Sequence, residues 1–128
     1  MRKFALFAFN GDPMCFIHVL LNALDLKEKG HTVALVVEGS ATKLVKLLSG
    51  GPGLEEFAEK NPQMYRMLSE QFAAVREAGL INCVCQACAK QMGALEDAQK
   101  VALPLCHDLK GHPSMSRYIV DGYEIISF

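Results

Sequence analysis

The sequence lacks the features that identify several large classes of protein. Its 128 residues carry a net charge of −1, so there is no excess of basic residues for binding nucleic acid or an acidic membrane surface. No apolar run approaches the roughly 18–20 residues that cross a bilayer. Neither a G-x-x-x-x-G-K nor a G-x-G-x-x-G phosphate-binding motif occurs, which argues against a nucleotide enzyme. Internal repeats and low-complexity segments are also missing.

The composition instead indicates one globular domain over residues 1–128. Apolar residues make up 51% of the chain and charged residues 21%, which is enough apolar material for a core and argues against disorder. The apolar residues 4–9 form a run that is shorter than the hydrophobic segment of a signal peptide, and no small-residue cleavage site follows it. We therefore expect a first buried strand in a cytoplasmic protein.

Turn and cap residues divide the chain into alternating strands and helices. Asp12 and Pro13 predict the start of a helix that Gly30 ends, Ser40 is predicted to cap the next helix, and Asn61-Pro62 begins a later one. Buried strands are predicted at residues 3–9, 32–37 and 80–84, a short edge strand at 102–106 and a last strand at 123–128. Helices are predicted at residues 13–29, 41–48, 54–60, 62–78, 86–92, 95–101 and 114–120.

This order of elements predicts an open α/β sheet with helices on both faces. In such folds ligands bind outside the carboxyl ends of the strands. Three segments fall on that edge: residues 10–18, residues 38–40 and residues 83–88. The predicted substrate-binding residues are Asp12, Cys15, His18 and Gly39. For two of them a plainer alternative stays open, with Cys15 in the core and His18 in solvent.

The five cysteines lie at positions 15, 83, 85, 88 and 106. An odd number in a chain with a sizeable core is not typical of a disulfide framework. We therefore expect reduced thiols with chemical or packing roles.

Cys85 is the strongest candidate for chemistry, because the predicted third strand ends there and a short helix begins. Unpaired N–H groups and the macrodipole at a helix start stabilise a thiolate, so we expect an exposed Cys85 with a lowered pKa. Such a thiolate can carry sulfur as a persulfide, with Cys88 as a second catalytic cysteine. A thioredoxin-like dithiol and plain buried cysteines are the alternatives.

A metal site is a further alternative at this edge. Six residues could supply ligands: Cys83, Cys85, Cys88, Cys106, His107 and His112. Structural zinc sites usually show two separated ligand pairs, a pattern that this sequence does not have. We therefore predict no cofactor and no bound metal. The alternative function is a non-catalytic oligomeric module that holds a metal or small ligand at Cys83, Cys85 and Cys88.

The segments Gly30-His31-x-Val33, Glu38-Gly39 and Cys85-Gln86-Ala87-Cys88, with Gly93 eight residues after Cys85, resemble the DsrE/DsrF/TusD-type sulfur-relay family. The resemblance implies a three-layer α/β/α sandwich with an open, mainly parallel five-stranded sheet. It also implies a small cytoplasmic protein that works as a homo-oligomer. Cys85 would take sulfur from a donor protein and pass it to an acceptor protein. Cys83 and residues 95–112 depart from the family's pattern.

Overall fold

Five strands form an open sheet in which every pair of neighbours is parallel. The computed structural model describes residues 1–128, and the spatial order of the strands is β4-β3-β2-β1-β5. The strands are β1 (Lys3–Ala8), β2 (Thr32–Val37), β3 (Ile81–Cys85), β4 (Leu105–Cys106) and β5 (Glu124–Ser127). The predicted α/β fold is confirmed. The short strand β4, which follows Pro104, lies at an edge of the sheet as predicted.

Seven helices connect the strands, and a 3₁₀ turn at Gly39–Ala41 precedes the second of them. The helices are α1 (Pro13–Glu28), α2 (Thr42–Leu48), α3 (Leu54–Lys60), α4 (Pro62–Glu77), α5 (Gln86–Gln91), α6 (Leu95–Lys100) and α7 (Met115–Val120). None of them has the length and hydropathy that crossing a membrane requires.

The two faces of the sheet are covered unequally, and the strand order explains why. The chain moves stepwise from β1 to β4, and right-handed crossovers in one direction put all their helices on the same face. The step from β4 back to β5 runs the other way, so α7 covers the opposite face. The main core has 22 buried residues, whereas the core under α7 has seven, including Phe7, Cys83 and Tyr118. The three layers are present, but one is a single short helix.

Ser40 does not cap α2; its side chain instead connects the loop after β2 to the loop after β1. The Asp12 side chain accepts a hydrogen bond from the Met14 N–H at 2.8 Å, which confirms the predicted cap of α1. Ser40, however, lies inside the 3₁₀ turn, so the prediction that it caps α2 is wrong. Its hydroxyl accepts from the Gly11 N–H at 2.9 Å and donates to the Phe9 carbonyl at 3.1 Å.

A disulfide joins Cys83 to Cys106, so the expectation of five reduced thiols is wrong for these two residues. Cys106 lies on β4 in register with Cys85 of the neighbouring β3, and its Cα is 5.6 Å from that of Cys83 on the same strand β3. Both side chains lie in the small core under α7. Cys15, Cys85 and Cys88 are free.

The disulfide ties the two-residue edge strand to the sheet, and its removal should destabilise the fold. We expect the Cys83→Ala/Cys106→Ala double variant to lose roughly 2–4 kcal/mol of unfolding free energy, because the cross-link restricts the unfolded chain. Urea denaturation measures the loss. Cys15→Ser is the matched control and should unfold like the parent. Alkylation of all five cysteines in unreduced, denatured protein would contradict the pairing.

Candidate functional site

Cys85 stands where β3 ends and α5 begins. It is the last residue of the strand and the N-cap of the helix, and its Sγ accepts a hydrogen bond from the Cys88 N–H at 3.4 Å. The predicted strand-to-helix turn at Cys85 is therefore confirmed. The three-residue spacing brings Cys88 back over the same turn.

His112 reaches this turn from a tight hairpin that follows β4. Leu109 and His112 exchange two backbone hydrogen bonds, of 2.7 and 2.9 Å, across Lys110 and Gly111. Both central residues have positive φ, 50° and 88°, as a type I′ turn requires. The Gly111 carbonyl accepts from the Ala87 N–H at 2.9 Å, and a Cβ on Gly111 would lie 3.1 Å from that of Ala87. Glycine therefore lets the hairpin lie against α5.

The imidazole of His112 contacts both free cysteines of the turn. Its Nδ1 lies 3.1 Å from the Sγ of Cys85 and 3.6 Å from the Sγ of Cys88. An unprotonated Nδ1 accepts a hydrogen bond from a thiol, and a protonated one donates to a thiolate. The pair of Cys85 and His112 can thus transfer a proton between sulfur and nitrogen.

Glu38 completes the cluster from the end of β2. Its carboxylate and the donor atoms of Cys85, Cys88 and His112 all lie within 4.8 Å of one another. Glu38 is only 7% exposed, and burial raises the pKa of its carboxyl, while the charge of His112 and the contact with Cys85 act in the opposite direction. Gly39 follows with φ of 55°, which turns the chain away directly after the strand.

The predicted exposure and lowered pKa of Cys85 are both wrong. The residue has no exposed surface, and burial raises the pKa of its thiol to about 12. The hydrogen bond from the Cys88 N–H acts in the opposite direction but is outweighed by the loss of solvation. A six-residue helix supplies too weak a field to compensate for removal of the thiolate from water.

A mainly apolar cavity of about 840 Å³ borders the cluster on one side. Glu38 and His112 form part of its wall, and Phe9, Pro113 and Met115 contribute apolar surface. Cys88 and His112 are themselves partly exposed. The cluster is therefore buried at Cys85 and open to solvent at its other end.

None of the four predicted substrate-binding residues belongs to the cluster of Glu38, Cys85, Cys88 and His112. The Asp12 side chain caps α1, Cys15 is a partly buried free thiol, and His18 is exposed. Gly39 adjoins the cluster through Glu38, and its carbonyl accepts from the Thr42 hydroxyl at 2.8 Å. A role for these four residues in binding substrate stays a prediction.

A metal site at this edge could not use all the ligands that the sequence offered. Cys83 and Cys106 are bonded to each other, so they cannot serve, and the exposed His107 does not belong to the cluster. The sequence places Glu38 at this edge without indicating a role for it, and it lists His112 only among six possible metal ligands. The residues Lys110-Gly111, which favour a two-residue hairpin, were the one signal that could have oriented His112.

Comparison with known proteins agrees with the resemblance in the sequence. The profile of the DsrE/DsrF-like family matches residues 4–128. The chain is similar to the uncharacterized protein MJ0733 of Methanocaldococcus jannaschii, with 36% identity over 110 residues, covering 86% of this chain and 77% of the relative. An uncharacterized protein of Archaeoglobus fulgidus is 51% identical over 37 residues, which are 29% of this chain and all of the relative. No solved structure matches the chain.

The burial of Cys85 predicts an order of reactivity among the free thiols. We expect iodoacetamide to modify the partly exposed Cys88 about tenfold or more faster than Cys85, because only an accessible thiolate reacts. With a pKa raised to about 12, the thiolate fraction of Cys85 grows as pH rises through the alkaline range. Its alkylation rate should therefore keep increasing between about pH 7 and 9. Peptide mass spectrometry gives both rates, and a plateau for Cys85 near neutral pH would contradict the assignment.

Proposed function

Because the chain belongs to the DsrE/DsrF-like family, we propose that Cys85 accepts a sulfane sulfur as a persulfide and passes it to a partner protein. The observation that carries the proposal is the 3.1 Å contact between the Cys85 Sγ and the His112 Nδ1. A neutral, buried thiol is a poor nucleophile until a base removes its proton. His112 is positioned to be that base.

The proposed transfer balances without an external oxidant or reductant. The Sγ of Cys85 attacks the terminal sulfur of a donor persulfide as its proton moves to His112 Nδ1. The sulfur–sulfur bond of the donor breaks, and His112 returns the proton to the departing thiolate. Cys85 then carries the persulfide. An acceptor thiol gives its proton to His112 and attacks the terminal sulfur, and His112 returns that proton to the departing Cys85 thiolate, so the Cys85 thiol is regenerated. One sulfur atom moves in each half of the cycle.

Cys88 and Glu38 support this step in different ways. The Cys88 N–H donates to the Cys85 Sγ and stabilises negative charge that develops there. When ionised, the Glu38 carboxylate stabilises the imidazolium that His112 becomes after taking the proton. The Sγ of Cys88 is close enough to His112 to be activated in the same way, so it is the second candidate acceptor of sulfur.

Access is the condition that the donor must meet, since Cys85 has no exposed surface. The hairpin of residues 109–112 separates Cys85 from the neighbouring cavity, and the backbone bond from Ala87 to Gly111 fastens it to α5. In the proposed cycle the donor approaches from this cavity, and side-chain movement at the cavity wall uncovers Cys85 while the hairpin keeps His112 beside the sulfur. A cytoplasmic homo-oligomer that exchanges sulfur with donor and acceptor proteins remains the proposed setting. The exposed apolar residues Ile119 and Val120 on α7 are consistent with self-association.

Substitution of Cys85 tests the identity of the sulfur carrier. We expect the protein to gain the mass of one sulfur atom after incubation with a persulfide donor, and Cys85→Ser to lose most of that gain, because the acceptor sulfur is gone. Intact-protein mass spectrometry measures the change. His107→Gln, which changes an exposed residue outside the cluster, is the control and should load normally. Equal loading of Cys85→Ser and the parent would reject the proposal.

Substitution of His112 tests the proposed base. We expect His112→Gln to load sulfur about a hundredfold more slowly at neutral pH, which is the typical contribution of a general base. The loss should shrink as pH rises, since hydroxide replaces the missing base. Time-resolved mass spectrometry gives the rates, with the exposed His107→Gln as control. A pH-independent loss would assign His112 a structural role only.

A further inference from the structure

We propose that Glu38, Cys85, Cys88 and His112 form a binding site for one divalent cation of the zinc class. This site goes beyond the proposed sulfur transfer, because the same side chains would also bind a metal ion. The four donors come from three separate parts of the chain: the end of β2, the turn into α5 and the hairpin of residues 109–112. Their convergence is therefore a property of the tertiary structure.

The distances suit a tetrahedral zinc ion. With zinc–ligand bonds of about 2.0–2.3 Å, neighbouring ligand atoms in a tetrahedron lie roughly 3.3–3.8 Å apart. The His112 Nδ1 lies 3.1 Å from one sulfur and 3.6 Å from the other. No pair among the four donor atoms is more than 4.8 Å apart. Shifts of about an ångström or less at the side chains would complete the coordination shell.

The chemistry of the donors selects the class of cation. Two thiolates, one imidazole and one carboxylate suit zinc and related borderline-soft metals, whereas calcium and magnesium require oxygen ligands. C-x-x-C supplies one ligand pair with the usual spacing of a zinc site. The second pair, Glu38 and His112, is 74 residues apart in the chain (positions 38 and 112), which is why a search for two short spacings does not find it.

The charge balance of the cluster independently favours a cation. The buried Glu38 carboxylate pairs with no lysine or arginine, since the four ion pairs of the structure involve other residues. Cys85 is buried beside it, and the nearest group that can become positive is His112. A divalent ion would offset two of the three negative charges that the carboxylate and both thiolates carry, which makes their burial together less costly. It can enter from solvent, because Cys88 and His112 are partly exposed.

Several bonds already hold the ligands in place without a metal. The Cys88 N–H donates to the Cys85 Sγ, and the Ala87 N–H holds the hairpin through the Gly111 carbonyl. The Thr42 hydroxyl bridges the carbonyls of Gly39 and Cys88, at 2.8 and 3.4 Å, and so links the segment after Glu38 to α5. Such surrounding contacts orient ligands and raise metal affinity.

Titration of the chelator-treated, full-length chain with zinc tests the site. We expect one zinc ion per chain, measured by competition with a chromophoric chelator and by elemental analysis. Cobalt(II) in place of zinc should give intense thiolate-to-metal charge-transfer absorption. Cys88→Ser, His112→Gln and Glu38→Gln should each weaken zinc binding by about tenfold or more, because each removes a ligand. Cys15→Ser and His107→Gln are the matched controls and should bind zinc like the parent.

Two results would overturn the site: absence of stoichiometric zinc binding by the parent, or unchanged binding by Cys88→Ser and His112→Gln. Circular dichroism establishes that each variant is folded, and Glu38→Gln, which preserves side-chain shape, replaces any variant that is not. Sulfur loading is measured separately on metal-free protein. Zinc binding without loading would reject only the sulfur proposal, and loading without zinc binding would reject only this one.

Discussion

The contact between the Cys85 thiol and the His112 imidazole joins two parts of the chain that the main sheet does not bring together by itself. Cys85 belongs to a regular strand inside the sheet, whereas His112 follows a two-residue edge strand and sits on a two-residue turn. Besides the pairing of β4 with β3, the disulfide at Cys106 and the backbone bond from Ala87 to Gly111 hold that outer segment. The geometry of the cluster therefore depends on how firmly the segment after α6 is attached.

The unequal layers of the sheet explain why this attachment is needed. Three crossovers in one direction place six helices over one face, and the main core beneath them contains most of the buried residues. The reverse step from β4 to β5 leaves only α7 for the other face. The disulfide lies in the small core there, beside Tyr118, whose hydroxyl also bonds to the Asn82 side chain. A covalent bond thus reinforces the face on which hydrophobic packing contributes least.

The local features of the fold could be predicted from the sequence because they depend on neighbouring residues. The apolar strand 32–37, the Asp12-Pro13 helix start and the turn at Cys85 all appear as expected. The cluster could be predicted only in part. Glu38 falls at the end of a predicted strand, and Cys85 and Cys88 share one turn, but His112 reaches them through a hairpin attached to an edge strand whose register no local pattern defines.

The same limit applies to the state of the thiols. The pairing of Cys83 with Cys106 depends on the register of β3 against β4. Likewise, the helix start beside Cys85 agrees with the prediction, whereas the pKa of Cys85 is raised and not lowered as predicted. The field of a short helix is a local quantity, whereas the burial that raises the pKa depends on residues that are distant in the chain, such as Glu38 and His112, lying close to Cys85.

A buried thiol beside a buried carboxyl has two ways to lose its proton at neutral pH. It can pass the proton to a neighbouring base, or a cation can replace the proton. His112 serves either route, since one nitrogen, Nδ1, faces both sulfurs. It cannot serve both at once, because a nitrogen that coordinates a metal has no lone pair left for a proton. Sulfur transfer and metal binding at Cys85 are therefore mutually exclusive, and the free metal concentration would determine which state the protein occupies.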